Sequence, residues 1–264
     1  MELSVFLDRW ALTPDGASFS TPAARLQPVL TASGEAAMLK VSHETEERFG
    51  AQVMAWWGGE GAARVLAHEG DALLMERAAG NRSLGDTARA GADDEATRIV
   101  CAAAAELHRP RAFPPPVGLT PLEVWFRSLL AAQEQGGVLA RCAEAARELL
   151  SDPREVVVLH GDLHHGNVLN FGQRGWLAID PKGLLGERGF DFANLFCNPD
   201  RATALAPGRL ARQAAVVAEA AGLERKRLLK WVLAWSGLSA MWMVEDGETE
   251  TIDLSLAETA LSAC

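Results

Sequence analysis

The chain has no tyrosine, and only four of its 25 basic residues are lysine, at positions 40, 182, 226 and 230. Its four cysteines, at 101, 142, 197 and 264, form no C-x-x-C pair. Neither zinc-finger spacing nor a disulfide framework is therefore expected in a chain of this length. No uncharged apolar run approaches the roughly 20 residues of a membrane span. A basic excess is missing as well: the formal charge is −10. An acidic surface repels phosphate backbones and anionic headgroups, so neither nucleic acid nor membrane is an expected partner, while a cationic small molecule is compatible. Residues 1–8 contain no basic stretch leading into a sustained apolar one, and a cytoplasmic location is expected. What is present is ordinary globular composition, 48% hydrophobic and 23% charged over 264 residues, enough for one or two domains with a buried core.

The first 75 residues read as β-rich. Strand candidates are Trp10-Ala-Leu-Thr, Ala24-Arg-Leu-Gln-Pro-Val-Leu and Ala36-Ala-Met-Leu-Lys-Val-Ser, separated by Pro-Asp-Gly and Ser-Gly-Glu turns. A helix over 44–57 is closed by Gly58-Gly59, and a hairpin is predicted around Glu69-Gly-Asp. From about residue 80 helical patterns dominate: 93–108, 121–134, 138–150, 205–221, 224–244 and 249–262. A β island at 155–180 interrupts them. The division predicted is a small β-rich lobe, residues 1–78, and a larger helical lobe, residues 79–264, with a ligand cleft between.

The chemistry concentrates in Leu159-His-Gly-Asp-Leu-His-His-Gly-Asn-Val-Leu169. An apolar strand enters a loop dense in His, Asp and Asn, and a second apolar strand leaves it. Asp162 and Asn167 stand five positions apart, and a hairpin returns the chain to Asp180 in Ile179-Asp-Pro-Lys. The order and spacing resemble the kinase catalytic loop, H-x-D-x-x-x-x-N followed by a metal-binding Asp. Lys40 sits alone in an apolar strand, where an unpaired ammonium is costly. A phosphate and a carboxylate from the following helix would relieve that cost; Glu47 is preferred for it, with Glu44 and Glu46 as alternatives.

The text His160-Gly-Asp-Leu-His-His-Gly-Asn, Gly175-Trp-Leu-Ala-Ile-Asp-Pro and Gly183-Leu-Leu-Gly-Glu-Arg-Gly-Phe-Asp-Phe-Ala-Asn resembles the aminoglycoside phosphotransferase family, in its streptomycin 6-phosphotransferase branch, often grouped with hydroxyurea phosphotransferases. The resemblance runs over residues 36–256. It implies an α+β, bilobal protein-kinase-like fold, with a small β-rich lobe and a larger, mostly helical one, and ATP and Mg²⁺ as cofactors. It implies Asp162 as the base accepting the hydroxyl proton, Asn167 and Asp180 as hard oxygen ligands for Mg²⁺, and Lys40 on the nucleotide phosphates. Met75, Glu76 and Ala78 would form the hinge offering backbone groups to adenine. His160 and Asp191 read as supporting residues that shape and anchor the loop. No G-x-G-x-x-G precedes Lys40; residues 15–21 are the remaining phosphate-loop candidate.

Acceptor recognition is expected in the C-terminal helices. Glu245, Asp246 and Glu248, with Glu250 and Asp253, form an acidic cluster suited to the two guanidinium groups of streptomycin. A solvated helix junction explains the same residues equally well. His108 reads as a helix cap, and Trp231, Trp235 and Trp242 as core. The function expected is transfer of phosphate from ATP to a hydroxyl of streptomycin, the 6-hydroxyl by resemblance, by a monomeric enzyme conferring resistance. A kinase of another small hydroxyl compound or of hydroxyurea is the nearest alternative. A metal-dependent hydrolase built on His160, Asp162, His164 and His165 and a non-catalytic binding module are the more distant ones.

Overall fold

The computed structural model describes residues 3–42, 45–132, 136–245 and 252–263. Helix α1 (Leu3–Arg9) precedes an antiparallel sheet built from β1 (Thr13–Pro14), β2 (Phe19–Ser20), β3 (Ala24–Leu30), β4 (Ala36–Ser42), β5 (Val65–Glu69) and β6 (Ala72–Glu76), with α2 (Thr45–Trp57) inserted between β4 and β5. The sheet order is β1-β3-β4-β6-β5, and β2 also pairs with β3. The alternation of β4 decides its two faces. Ala37, Leu39 and Val41 pack with Phe6 and Val29 beneath α1, which turns Lys40 to the opposite face.

Beyond Glu76 the chain becomes helical: α3 (Leu84–Thr87), α4 (Asp93–Leu107), the short strand β7 (Thr120–Pro121), then α5 (Leu122–Trp125), α6 (Arg127–Ala131) and α7 (Gly137–Ser151). Strands β8 (Val156–Leu159), β9 (Val168–Asn170), β10 (Trp176–Ala178) and β11 (Leu184–Glu187) follow, and then α8 (Arg201–Ala204), α9 (Arg209–Ala221), α10 (Arg225–Glu245) and α11 (Ile252–Ala263). β9 and β10 form a hairpin; β11 pairs antiparallel with β8 and parallel with β7. Trp231, Val232, Ala234 and Leu238 of α10 are buried in the core of this lobe, and the Trp231 indole donates to Glu187 at 2.8 Å. Among the described residues no helix is long and apolar enough to cross a membrane.

Several local expectations are corrected. The strand predicted at residues 10–13 survives only as Thr13, because Trp10 and Leu12 close the C-terminal turn of α1, their N–H groups donating to Phe6 O at 3.0 Å and Leu7 O at 2.8 Å. The helix predicted over 121–134 is broken at Phe126 (φ −83°, ψ 3°). That predicted over 205–221 begins only at Arg209, after Pro207 and the left-handed Gly208. Strand β11 was not expected. Its outer neighbours supply the reason: the Gly186 site has Leu122 side-chain atoms 2.4 Å from where a Cβ would stand.

A pair of backbone hydrogen bonds joins the lobes: Ala178 donates to Gly61 and accepts from Ala63, each at 2.9 Å. A side-chain tie reinforces them: Arg174, in the β9–β10 turn, donates to Glu76 at the end of β6 and to the Gly59 carbonyl behind α2.

Candidate active site

The loop between β8 and β9 is shaped by one carboxylate. Asp191 accepts the backbone N–H of His160 at 2.9 Å and that of Gly161 at 2.7 Å, and the Nε2–H of His108 at 2.7 Å. Burial alone would raise its pKa; the His108 hydrogen bond, with the Gly161 N–H, holds it below the ordinary aspartate value instead. Gly161 has φ +82°, and a Cβ there would meet Leu184 Cδ1 at 2.8 Å, so a side chain at this bend is excluded twice over. The buried His160 donates from Nε2 to Ile179 O at 2.8 Å and accepts the Asp162 N–H at Nδ1, 3.2 Å away. Burial lowers its pKa, and this neutral tautomer locks the loop to the strand end that carries Asp180. Its ring also stacks on Trp57 of α2, 6.3 Å between centroids.

Asp162 projects at the turn with its side chain about one-third exposed. Asn194 Nδ2 donates to Asp162 Oδ1 at 2.7 Å. Asn167 Nδ2 donates to the Asp162 carbonyl at 2.9 Å and reaches Oδ2 at 3.3 Å. Ile179 N–H donates to the Asn167 carbonyl at 2.9 Å, which sets Asp180 beside Asn167. Asp180 itself takes φ +58°, a conformation that aspartate tolerates better than most side chains and that is often retained at functional sites. Lys40, buried on the inner face of β4, places Nζ 2.8 Å from Asp180 Oδ1.

The donor set fits Mg²⁺. With its nitrogen on Asp162, the Asn167 amide turns its oxygen away from the base, and this oxygen with the Asp180 carboxylate makes a hard, oxygen-only pair. Among the described residues no three His, Cys, Asp or Glu side chains converge to hold an ion by themselves.

Other predicted residues fall elsewhere. The Glu76 N–H donates to Arg64 O at 2.9 Å, and its carboxylate accepts from the Arg64 N–H at 2.6 Å and from Arg174. Glu76 therefore serves the lobe junction, and its N–H is not offered to a nucleotide. Met75 is buried in β6 opposite Met38, and Ala78 packs at the edge of the larger core. The side chains of Glu47 and Glu245, and Asp246, Glu248 and Glu250, lie outside the described residues. Asp253 is corrected outright: it is 2% exposed and accepts from Cys197 Sγ and Ser239 Oγ, both at 2.9 Å, with burial pushing its pKa up. It faces the core, not a cationic ligand. In the phosphate-loop candidate, Asp15 pairs with Arg77 at 2.6 Å and Gly16 O accepts from Gln27 at 2.9 Å.

His164 accepts the Gly166 N–H at Nδ1, 3.0 Å away, and its Nε2 is 3.7 Å from Asp162 Oδ1, too far for a hydrogen bond. Burial lowers its pKa. His165 is buried without a hydrogen-bond partner at either ring nitrogen among the described residues, and burial, assisted by the Arg209 charge, pushes its pKa down to about 4. With His160 engaged at both nitrogens, these histidines do not converge on a metal.

The family model for aminoglycoside/hydroxyurea antibiotic resistance kinases matches residues 9–247. The chain belongs to this family. It is 50% identical over 246 residues to a streptomycin 3''-kinase of Klebsiella pneumoniae, covering 91% of this chain and 92% of that one. It is 36% identical over 259 residues to a streptomycin 6-kinase of Streptomyces griseus, covering 92% and 82%. Among solved structures, an amicoumacin kinase in complex with AMP-PNP, Ca²⁺ and Ami superposes with a TM-score of 0.69 at 13% identity, over 98% of this chain and 92% of that chain. The α+β fold is thus that of the protein-kinase-like phosphotransferases, with the β-sheet lobe first and the helical lobe second.

Within this antibiotic resistance kinase, sequence reasoning missed three residues. Asn194 is a polar side chain inside the aromatic run Phe-Asp-Phe-Ala-Asn-Leu-Phe, and a buried amide there requires a partner. His108 does end α4, its N–H donating to Ala104 at 2.9 Å, yet its ring belongs to Asp191. Arg174 lies in a turn, where nothing local announces that it reaches the other lobe.

Proposed function

We propose that this kinase transfers the γ-phosphoryl group of ATP, with Mg²⁺, to a hydroxyl of streptomycin. The reading rests above all on the run of contacts that links Lys40 to Asp180, the Asp180 strand end to Asn167, and Asn167 to Asp162. In it, the Asp162 carboxylate accepts the proton of the acceptor hydroxyl as its oxygen bonds to the γ-phosphorus and the bond from that phosphorus to the bridging oxygen of ADP breaks. Asn167 and Asp180 would hold Mg²⁺, which would supply positive charge to neutralise the phosphates. Lys40, now on Asp180, also supplies positive charge to phosphate oxygens, and the backbone around Ala78 receives the adenine. The enzyme would act as a cytoplasmic monomer, on drug that has entered the cell.

The family resemblance of the sequence implies the 6-hydroxyl. The 50% identity to a streptomycin 3''-kinase, against 36% to a 6-kinase, favours the 3''-hydroxyl, and we adopt it. A coupled ADP-release assay with streptomycin, other aminoglycosides and hydroxyurea, followed by NMR assignment of the phosphorylated carbon, tests both parts. Streptomycin-dependent turnover giving the 3''-phosphate is expected. A 6-phosphate would return the assignment to the 6-kinases, and absence of streptomycin-dependent ADP release would overturn the substrate.

A further inference from the structure

A carboxylate on a loop rotates about its Cβ–Cγ bond unless something holds it, and a general base works only within hydrogen-bond reach of its proton. Asp162 is held from outside its own loop. The shorter of its two side-chain contacts is not with Asn167 (3.3 Å) but with Asn194 Nδ2 (2.7 Å). Asn194 is 7% exposed, so the carboxylate is not sharing this donor with bulk water.

A side-chain amide can sit either way round, and only one orientation offers a donor to a carboxylate. Asn198 settles which. Its Nδ2 donates to both Asn194 Oδ1 and the Asn194 carbonyl, at 3.0 Å each. With Oδ1 accepting there, Nδ2 must face Asp162. Asn198 is fixed in turn, because its carbonyl accepts from Arg209 at 2.8 Å, and Arg209 is buried in a two-point pair with Asp93 at 2.9 and 3.0 Å. On the other side of the same segment, Cys197 is bonded to Asp253 of α11.

We propose that Asn198 and Asn194 form an amide relay that positions the base, engaging Asp162 Oδ1 and leaving Oδ2 as the oxygen that receives the acceptor proton. The inference rests on Asp162 acting as that base. Asn194 and Asn198 are positioning residues: Asn194 acts through Asp162, and Asn198 through Asn194.

Four variants of the full chain test the relay: Asn194→Ala, the isosteric Asn194→Asp, Asn198→Ala and the double alanine variant, with Asp162→Asn alongside. Streptomycin turnover, KM for ATP, ATP binding and melting temperature are measured for each. Loss of one charge-assisted hydrogen bond predicts a fall in kcat of about 10- to 100-fold for both Asn194 variants, with KM for ATP within about twofold of wild type. Asn194→Asp keeps the volume and the bond from Asn198, so its loss cannot be attributed to a cavity. Asn198→Ala should lose less, and the double variant no more than Asn194→Ala, because one residue acts through the other. Wild-type kcat in Asn194→Ala, or additive losses in the double variant, overturns the relay while an inactive Asp162→Asn leaves the base assignment standing. Undiminished turnover in Asp162→Asn overturns the base and the relay together.

Discussion

Lys40 Nζ lies 2.8 Å from Asp180 Oδ1, joining the central strand of the β lobe to the strand end behind the catalytic loop. The lysine side chain is 6% exposed and the aspartate 28%, so the pair is largely withdrawn from water and its Coulomb gain is offset by the cost of desolvating both charges. Replacing Lys40 with Met should lower kcat/KM for ATP by about 100-fold or more, since a phosphate contact and the orientation of Asp180 go together. The melting temperature should fall far less, by the equivalent of about 1–3 kcal/mol. Parallel kinetics and thermal unfolding separate the two effects.

Gly161→Ala tests the bend before the base. The residue is left-handed and its Cβ would strike Leu184. A cost of about 1–3 kcal/mol is expected, with kcat falling because the Asp191 hydrogen bonds to residues 160 and 161 must shift. Wild-type kinetics and stability would show the bend to be dispensable.

Arg174→Met removes one side-chain tie between the lobes while leaving the backbone ties and the Lys40–Asp180 pair in place. Glu76 retains Arg64. A loss of about 1–3 kcal/mol in unfolding free energy, with a raised KM for ATP and little change in KM for the acceptor, is the expected pattern. Equal effects on both substrates would argue against a role at the nucleotide side.

His165 predicts a pH dependence of stability. Its pKa is depressed to about 4 in the folded chain, while the unfolded chain binds the proton near pH 6.5. The unfolded state therefore holds more protons between these values, and stability falls as pH drops from about 6.5 to 4, by something on the order of 2–3 kcal/mol from this residue. His165→Phe should flatten the melting temperature over that window. An unchanged slope would assign it to other groups, of which His160 and His164 are also depressed by burial.

The strand–loop–strand text around Asp162 was legible because its members are nearly contiguous and the hairpin that returns to Asp180 is short. The sheet, α2 and α4 were legible from periodicity and from the glycines that close α2. Long-range partners were not. Asn194 and His108 gain their roles from residues 32 and 83 positions away, and nothing in local spacing encodes such pairings. Asp253 misled for a related reason: it stands in a run of acids that reads as a solvated face, yet the seating of α11 turns it onto Cys197 and Ser239. Pro207 delays the predicted 205–221 helix to Arg209, an effect its fixed φ and missing N–H make local.

The central claim, that Asp162 drives phosphate transfer to streptomycin, is tested most directly by streptomycin-dependent ADP release from the isosteric variant Asp162→Asn with ATP binding measured in parallel. A fall in kcat of at least about 100-fold with ATP affinity retained is predicted. Turnover close to wild type in the variant would contradict the account.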